Sequence, residues 1–201
     1  MLGCTSAFLD LKTVYKDVNE AVIVFLSDGR FHIESTMLYN PTQKYYQYNP
    51  YNRRLTLERY GYKEMQQLRL TAINVAKNAQ KFGLIFGTLG RQGSPELLSR
   101  IISLLEEKKR DYIVLLISEI NERLLETYGK DINVWVQLCC PRLSVDWGHN
   151  YIKPLLNPYE IFVALGTAEW SNDKYPMDNY SYGGGPWSSY YGLIGPTKKQ
   201  H

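Results

Sequence analysis

The sequence predicts an α/β fold: a parallel sheet of about four strands with helices on both faces, preceded by the closing part of another domain. Three observations carry that prediction. Short apolar runs alternate with amphipathic stretches between residues 62 and 138, the grammar of strand–helix–strand units. Ser94-Pro95-Glu96 marks a helix start within that series, with a capping serine, a proline at the first helical position and an acid at the positive end of the dipole. The chain has 201 residues, 44% hydrophobic and 21% charged, enough to bury a sheet between helices. No apolar run approaches the roughly 18 residues that a membrane-spanning helix needs.

Ala21-Val-Ile-Val-Phe-Leu26 is a short apolar run ending at Ser27-Asp-Gly-Arg30, and predicts a buried strand running into a turn. Tyrosine is unusually frequent, 17 residues against 6 phenylalanines. Many of the tyrosines fall between Tyr39 and Tyr51 or in the tail from Tyr175, which includes Tyr180-Ser-Tyr-Gly-Gly-Gly-Pro-Trp187. Proline and asparagine interrupt the first stretch and glycine the second, so both read as loops pinned to the surface by their rings. A second strand is expected from Arg54 to Arg59, and no whole βαβ unit is legible before residue 65.

The next element is a helix from Tyr62 to Lys81, with Met65, Leu68, Ala72, Val75, Ala76, Ala79 and Phe82 at three- and four-residue steps. Gly83 to Gly90 reads as a strand. The helix capped by Ser94 turns Leu97, Leu98, Ile101, Ile102 and Leu105 inward. Tyr112–Ile117 is a strand, Glu119–Tyr128 a helix, and Ile132–Leu138 a further strand. Residues 66–166 therefore make a complete α/β unit. Residues 1–65 make the C-terminal part of an earlier domain and should leave apolar surface exposed. Residues 167–201 form a Tyr/Gly-rich tail.

Lysine plus arginine is 23 and aspartate plus glutamate 20, a net charge of +3, too weak to argue for nucleic acid. The three cysteines, Cys4, Cys139 and Cys140, show no Cys-x-x-Cys and no zinc spacing. No secretory leader opens the sequence, so the cytoplasm is the expected compartment. In open α/β sheets ligands collect beyond the carboxyl ends of the strands. There stand the glycine loop Gly87–Ser94, Ser118-Glu119, and Cys139-Cys140-Pro-Arg142. The glycines match neither the P-loop nor the dinucleotide fingerprint. A thiol past a strand and near Arg142 favours the thiolate, which binds metal. Converging thiolates could hold an iron–sulfur cluster, while buried inert thiols are the simpler alternative.

Seven strings together carry a resemblance. They are Leu2-Gly-Cys-Thr-Ser6, Asp28-Gly-Arg-Phe-His-Ile-Glu-Ser35, Leu89-Gly-Arg-Gln-Gly-Ser-Pro95, Leu116-Ile-Ser-Glu-Ile120, Trp135-Val-Gln-Leu-Cys-Cys-Pro-Arg-Leu-Ser144 with Asp146-Trp147, Lys153-Pro-Leu-Leu-Asn-Pro-Tyr159 and Tyr175-Pro-Met-Asp178. In this order and spacing, from residue 2 to about 192, the sequence resembles the diphthamide synthase family. The resemblance implies three similar α/β domains, each giving one cysteine to a central [4Fe–4S] cluster. S-adenosylmethionine binds there and is cleaved to a 3-amino-3-carboxypropyl radical, which adds to a histidine of translation elongation factor 2. A related second subunit completes a heterodimer, and a small iron-binding protein supplies electrons.

Residue by residue, the resemblance assigns Cys4 to the middle domain's metal position and Cys140 to the last domain's, with Cys139 a buried neighbour facing away. Gln92, Ser118 and Arg142 match the positions that hold the methionine end of S-adenosylmethionine, where a planar guanidinium suits a carboxylate. Without the resemblance, Gln92 and Ser118 read as helix caps and Arg142 as half of a surface ion pair. The family's first domain and its cysteine have no counterpart, so a fragment with poor cluster binding of its own is expected. A cluster-free methyltransferase would need an early glycine-rich loop followed by an acidic ribose anchor, and neither is present. A non-catalytic partner subunit, or an RNA-contacting module using the tyrosine loops, is the remaining alternative.

Overall fold

A computed structural model describes residues 5–9, 21–89 and 92–193. Among these the chain divides into two units: residues up to Gln66 with Ser171–Asp178, and Gln67–Trp170 with the chain from Asn179 onward. The tail is thus shared between the two units.

The first unit is built on a three-stranded mixed sheet. Strand β1 (Val22–Leu26) leads through helix α1 (Phe31–Tyr39) to β2 (Lys44–Asn49), which pairs parallel with it; β3 (Arg54–Glu58) returns antiparallel to β2. A whole βαβ unit therefore stands where the sequence showed none. The Tyr39–Tyr51 stretch is likewise not simply a loop, because residues 44–49 form the central strand. Tyr45 turns inward, 3% exposed, onto Ile33 and Met37 of α1 with Ile23, Phe25 and Tyr60 packed around them. Its hydroxyl lies 3.1 and 2.9 Å from the carbonyls of Thr36 and Asn40, donating to one at a time. The β2–β3 turn is closed by asparagine side chains: Asn49 Oδ1 accepts from Tyr51 N at 2.9 Å, and Asn52 Oδ1 from Arg54 N at 3.0 Å. Strand β1 is not buried as expected. α1 covers one face, and Val22, Val24 and Leu26 on the other are exposed.

The second unit is the predicted four-stranded parallel sheet, in the order β5-β4-β6-β7. Its elements are helix α2 (Tyr62–Asn78), which begins in the first unit, β4 (Lys81–Gly87), α3 (Pro95–Glu107), β5 (Asp111–Ile117), α4 (Glu122–Tyr128), β6 (Val134–Leu138), α5 (Pro141–Trp147), β7 (Leu155–Leu156) and α6 (Pro158–Ala164). The central strands β4 and β6 are covered on both faces, whereas Ile113 and Leu116 of the edge strand β5 are exposed. Ile85 and Trp135 pack with Leu125 of α4, while Phe82, Leu84, Val134 and Val136 are also fully buried, on the opposite face. Ser94 caps α3 through Leu97 N at 3.2 Å, and Asn121 rather than Glu119 opens α4.

The buried face of α2 departs from the expected one. Leu68 and Val75 are exposed, whereas Arg69 and Ile73 are buried with Met65, Ala72 and Ala76. Arg69 tolerates burial because Glu160 takes its Nε and Nη2, each at 2.6 Å, and the Leu155 carbonyl accepts a further bond at 2.7 Å. The tail beyond Asn179 is pinned by Arg100, which donates to the carbonyls of Pro186 and Ser188. No helix among the described residues is long and apolar enough to cross a membrane.

Candidate functional site

Chain order and spatial order disagree at one point of the parallel sheet. From β4 the chain crosses to β5 on one side, and from β6 it crosses to β7 on the other. Connections leaving two adjacent strands in opposite directions open a crevice beyond their carboxyl ends, where α/β sheets bind ligands. The loop after β4 and the Cys139–Arg142 turn after β6 both begin at this point.

The turn after β6 is tightly ordered. Cys139 is 6% exposed and packs with Ile85, Trp135 and Leu155. Burial pushes its thiol up to about 11, against a smaller opposing pull from a Gly87 backbone hydrogen bond. Gly87 makes this possible, because a Cβ there would stand 2.4 Å from the Cys139 sulfur. Cys140 follows as the residue preceding α5, in extended conformation and half-buried, with Pro141 at the first helical position. Cys140 is therefore the more exposed of the two thiols, while Cys139 is held in the core.

Gln137 organises this turn. It is fully buried, one residue before the end of an otherwise apolar strand. Its Oε1 accepts from Cys139 N at 2.7 Å, and its Nε2 donates to the Cys140 carbonyl at 2.9 Å and to Ser144 Oγ at 3.0 Å. Sequence reasoning assigned this residue no role. The signal was a lone amide in a buried strand, which must find partners.

Arg142 stands in the first turn of α5 and is 4% exposed. Its Nε donates to both Asp146 oxygens, at 2.9 and 2.8 Å, one helical turn away. The pair is real, but Arg142 is not on the surface as the simpler reading had it. Gln92 follows β4 and is half-buried; Ser118 follows β5 and is exposed. Neither caps a helix, since Ser94 and Asn121 do so. The sheet places Gln92, Ser118 and Arg142 past the carboxyl ends of three adjacent strands. Cys4 lies outside the described residues, as do Gly90 and Arg91 of the glycine loop. The chain after Cys4 is anchored within the first unit: Asn40 Oδ1 accepts from Leu9 N at 2.7 Å, its Nδ2 donates to the Ala7 carbonyl at 3.1 Å, and Ser6 N donates to the Met177 carbonyl at 2.8 Å. Among the described residues no group of three or more His, Cys, Asp or Glu side chains could hold a metal ion.

Comparison with known proteins gives a consistent result. Residues 1–176 match the diphthamide synthesis protein family. The chain is similar to 2-(3-amino-3-carboxypropyl)histidine synthase subunit 1 of Dictyostelium discoideum, 46% identical over 94% of this chain and 40% of that protein. The subunit of the same name from Gibberella zeae is 49% identical over 92% of this chain and 39% of its own length, and that of Mus musculus 46% identical over 96% and 42%. The chain thus spans about two-fifths of the length of these relatives. Among solved structures, Dph2 from Pyrococcus horikoshii matches with a TM-score of 0.62 at 26% identity, covering 77% of this chain and 44% of that one. The same archaeal protein solved with a 4Fe-4S cluster matches with a TM-score of 0.64 at 24% identity, over 86% and 47%, which supports the fold.

Proposed function

Because this chain belongs to the diphthamide synthesis protein family, we propose that it forms the end of the middle domain and the whole last domain of a cytoplasmic 2-(3-amino-3-carboxypropyl)histidine synthase subunit. That enzyme transfers the 3-amino-3-carboxypropyl group of S-adenosylmethionine to a histidine of translation elongation factor 2. It acts with a related second subunit and a small iron-binding electron donor. The observation that carries the reading is Cys140, a half-buried thiol at the β4/β6 switch point with Arg142 two residues on.

The donor chemistry at Cys140 suits an iron–sulfur cluster, since thiolates are the preferred ligands of iron in such groups. Cys140 and Cys4 would each hold one iron, and Cys139 is excluded by its burial. When bound, a [4Fe–4S] cluster supplies the electron for reductive cleavage of S-adenosylmethionine. The protein's own residues orient the substrate. Arg142, kept in place by Asp146, presents a guanidinium to the methionine carboxylate. Gln92 and Ser118 offer an amide and a hydroxyl to its amino and carboxylate groups. Helices on both faces of the sheet keep water from the strand bed beneath.

The test is a chimera of the Dictyostelium discoideum relative, with this chain in place of the matching segment. Paired with its second subunit under anaerobic conditions, the chimera should move label from S-adenosylmethionine onto elongation factor 2. Cys140→Ala should abolish the transfer without loss of folding. Full transfer by that variant overturns the reading.

A further inference from the structure

Two adjacent cysteines at a strand end are a problem of register, because a slip of one residue exchanges which side chain faces the core. Here the exchange would turn Cys140 inward and bring Cys139 to the crevice. We propose that Gln137 is the positioning residue that prevents it, locking the Cys139–Cys140 turn so that Cys140 alone is presented. The proposal rests on the reading of Cys140 as the metal-binding thiolate.

Three observations carry it. First, the hydrogen bonds of Gln137 bracket the turn: Oε1 takes the N–H of Cys139, and Nε2 takes the carbonyl of Cys140. Second, Nε2 also reaches Ser144 Oγ, so the same amide ties the turn to α5. Third, Gln137 is fully buried, so a slipped register would leave its amide without these partners in a place water does not reach. Gly87 supplies the complementary half, a space shaped for the Cys139 sulfur. Gln137 acts through the backbone and need not touch substrate or iron.

Cysteine labelling of the folded chain tests this, with iodoacetamide as the probe, peptide mass spectrometry to assign each thiol, and amide exchange on β4 to report the core. The wild-type chain should label at Cys140 and be protected at Cys139. Gln137→Met, which keeps the volume and removes all three bonds, should speed labelling of Cys139 about tenfold, the factor one lost buried hydrogen bond can supply. Exchange on β4 should not change. Gln137→Glu keeps the acceptor for Cys139 N–H and should recover part of the protection, leaving a rise of only severalfold. The proposal is overturned if Cys139 in the Met variant labels at the wild-type rate, or only in step with β4 exchange. Should the Met variant not fold, the Glu variant decides alone, and a wild-type rate there has the same force. Failure of the underlying reading would show elsewhere, as transfer surviving Cys140→Ala in the chimera, with the labelling result untouched.

Discussion

Arg142 meets two demands at once, a buried position and an ionic task. A guanidinium that is 4% exposed is costly without a partner, and Asp146 supplies one at i+4. The paired carboxylate also fixes the plane of the fork. Arg142→Lys retains the charge but gives up the Nε contact and the planar geometry. In the chimera it should weaken S-adenosylmethionine binding by roughly ten- to a hundredfold, corresponding to about 1.5–3 kcal/mol for a charge-assisted contact. Equilibrium binding on anaerobically reconstituted protein checks this, with the cluster spectrum as control; unchanged affinity removes Arg142 from the site. Gly87 and Cys139 form a second residue-scale pair. Gly87→Ala drives a methyl into the sulfur and should cost about 1–3 kcal/mol of overpacking. With Cys139→Ala the sulfur is gone, so the double variant should be more stable than the sum of the two single changes. Additive values from denaturant unfolding would show that the close approach is relaxed some other way.

At the scale of elements, the ion pair between Arg69 and Glu160 joins α2 to α6 and, through the Leu155 carbonyl, to β7. Glu160 also completes a capping box with Asn157 at the start of α6. Removing one charge leaves the other stranded in the core, so Arg69→Met should destabilise the second unit by about 3–5 kcal/mol. Urea unfolding measures it, and a loss near zero would show that the buried pair adds little net stability to the second unit. Arg69 also shows why part of the fold was illegible. A helical period counted on apolar residues alone selected Leu68 and Val75, whereas the buried face passes through an arginine whose partner is 91 residues away. The helix beginning at Pro95 was legible because its signals, a cap and an N1 proline, are local. Strand β2 was not, because its tyrosines alternate inward and outward between proline-bearing flanks that read as loop. The same distinction holds at the site. The strand-end positions of Cys140 and Arg142 followed from strand periodicity, but the partners of Gln137 and the seat of Cys139 against Gly87 depend on the folded turn.

On the scale of the whole molecule, the two sheets differ in how they are covered. The four-stranded sheet buries side chains on both faces, and strand β6 is buried at every residue. The three-stranded sheet is covered by α1 on one face. On the other, Val22, Val24 and Leu26 of β1 and Leu55 and Leu57 of β3 are 49–72% exposed, on either side of Tyr46 and Tyr48 in register between them. A contiguous apolar face of this kind is unusual on a monomer and promotes association. Leu26→Lys with Leu57→Glu should therefore reduce concentration-dependent association of this chain, followed by static light scattering. Both leucines are about half exposed or more, at 72% and 49%, so little burial is lost and the unfolding free energy should stay within about 0.5 kcal/mol of the parent. Association that persists undiminished in the double variant would place the sticky surface elsewhere. A stability loss of about 2 kcal/mol or more would show that these side chains are packed in solution rather than exposed.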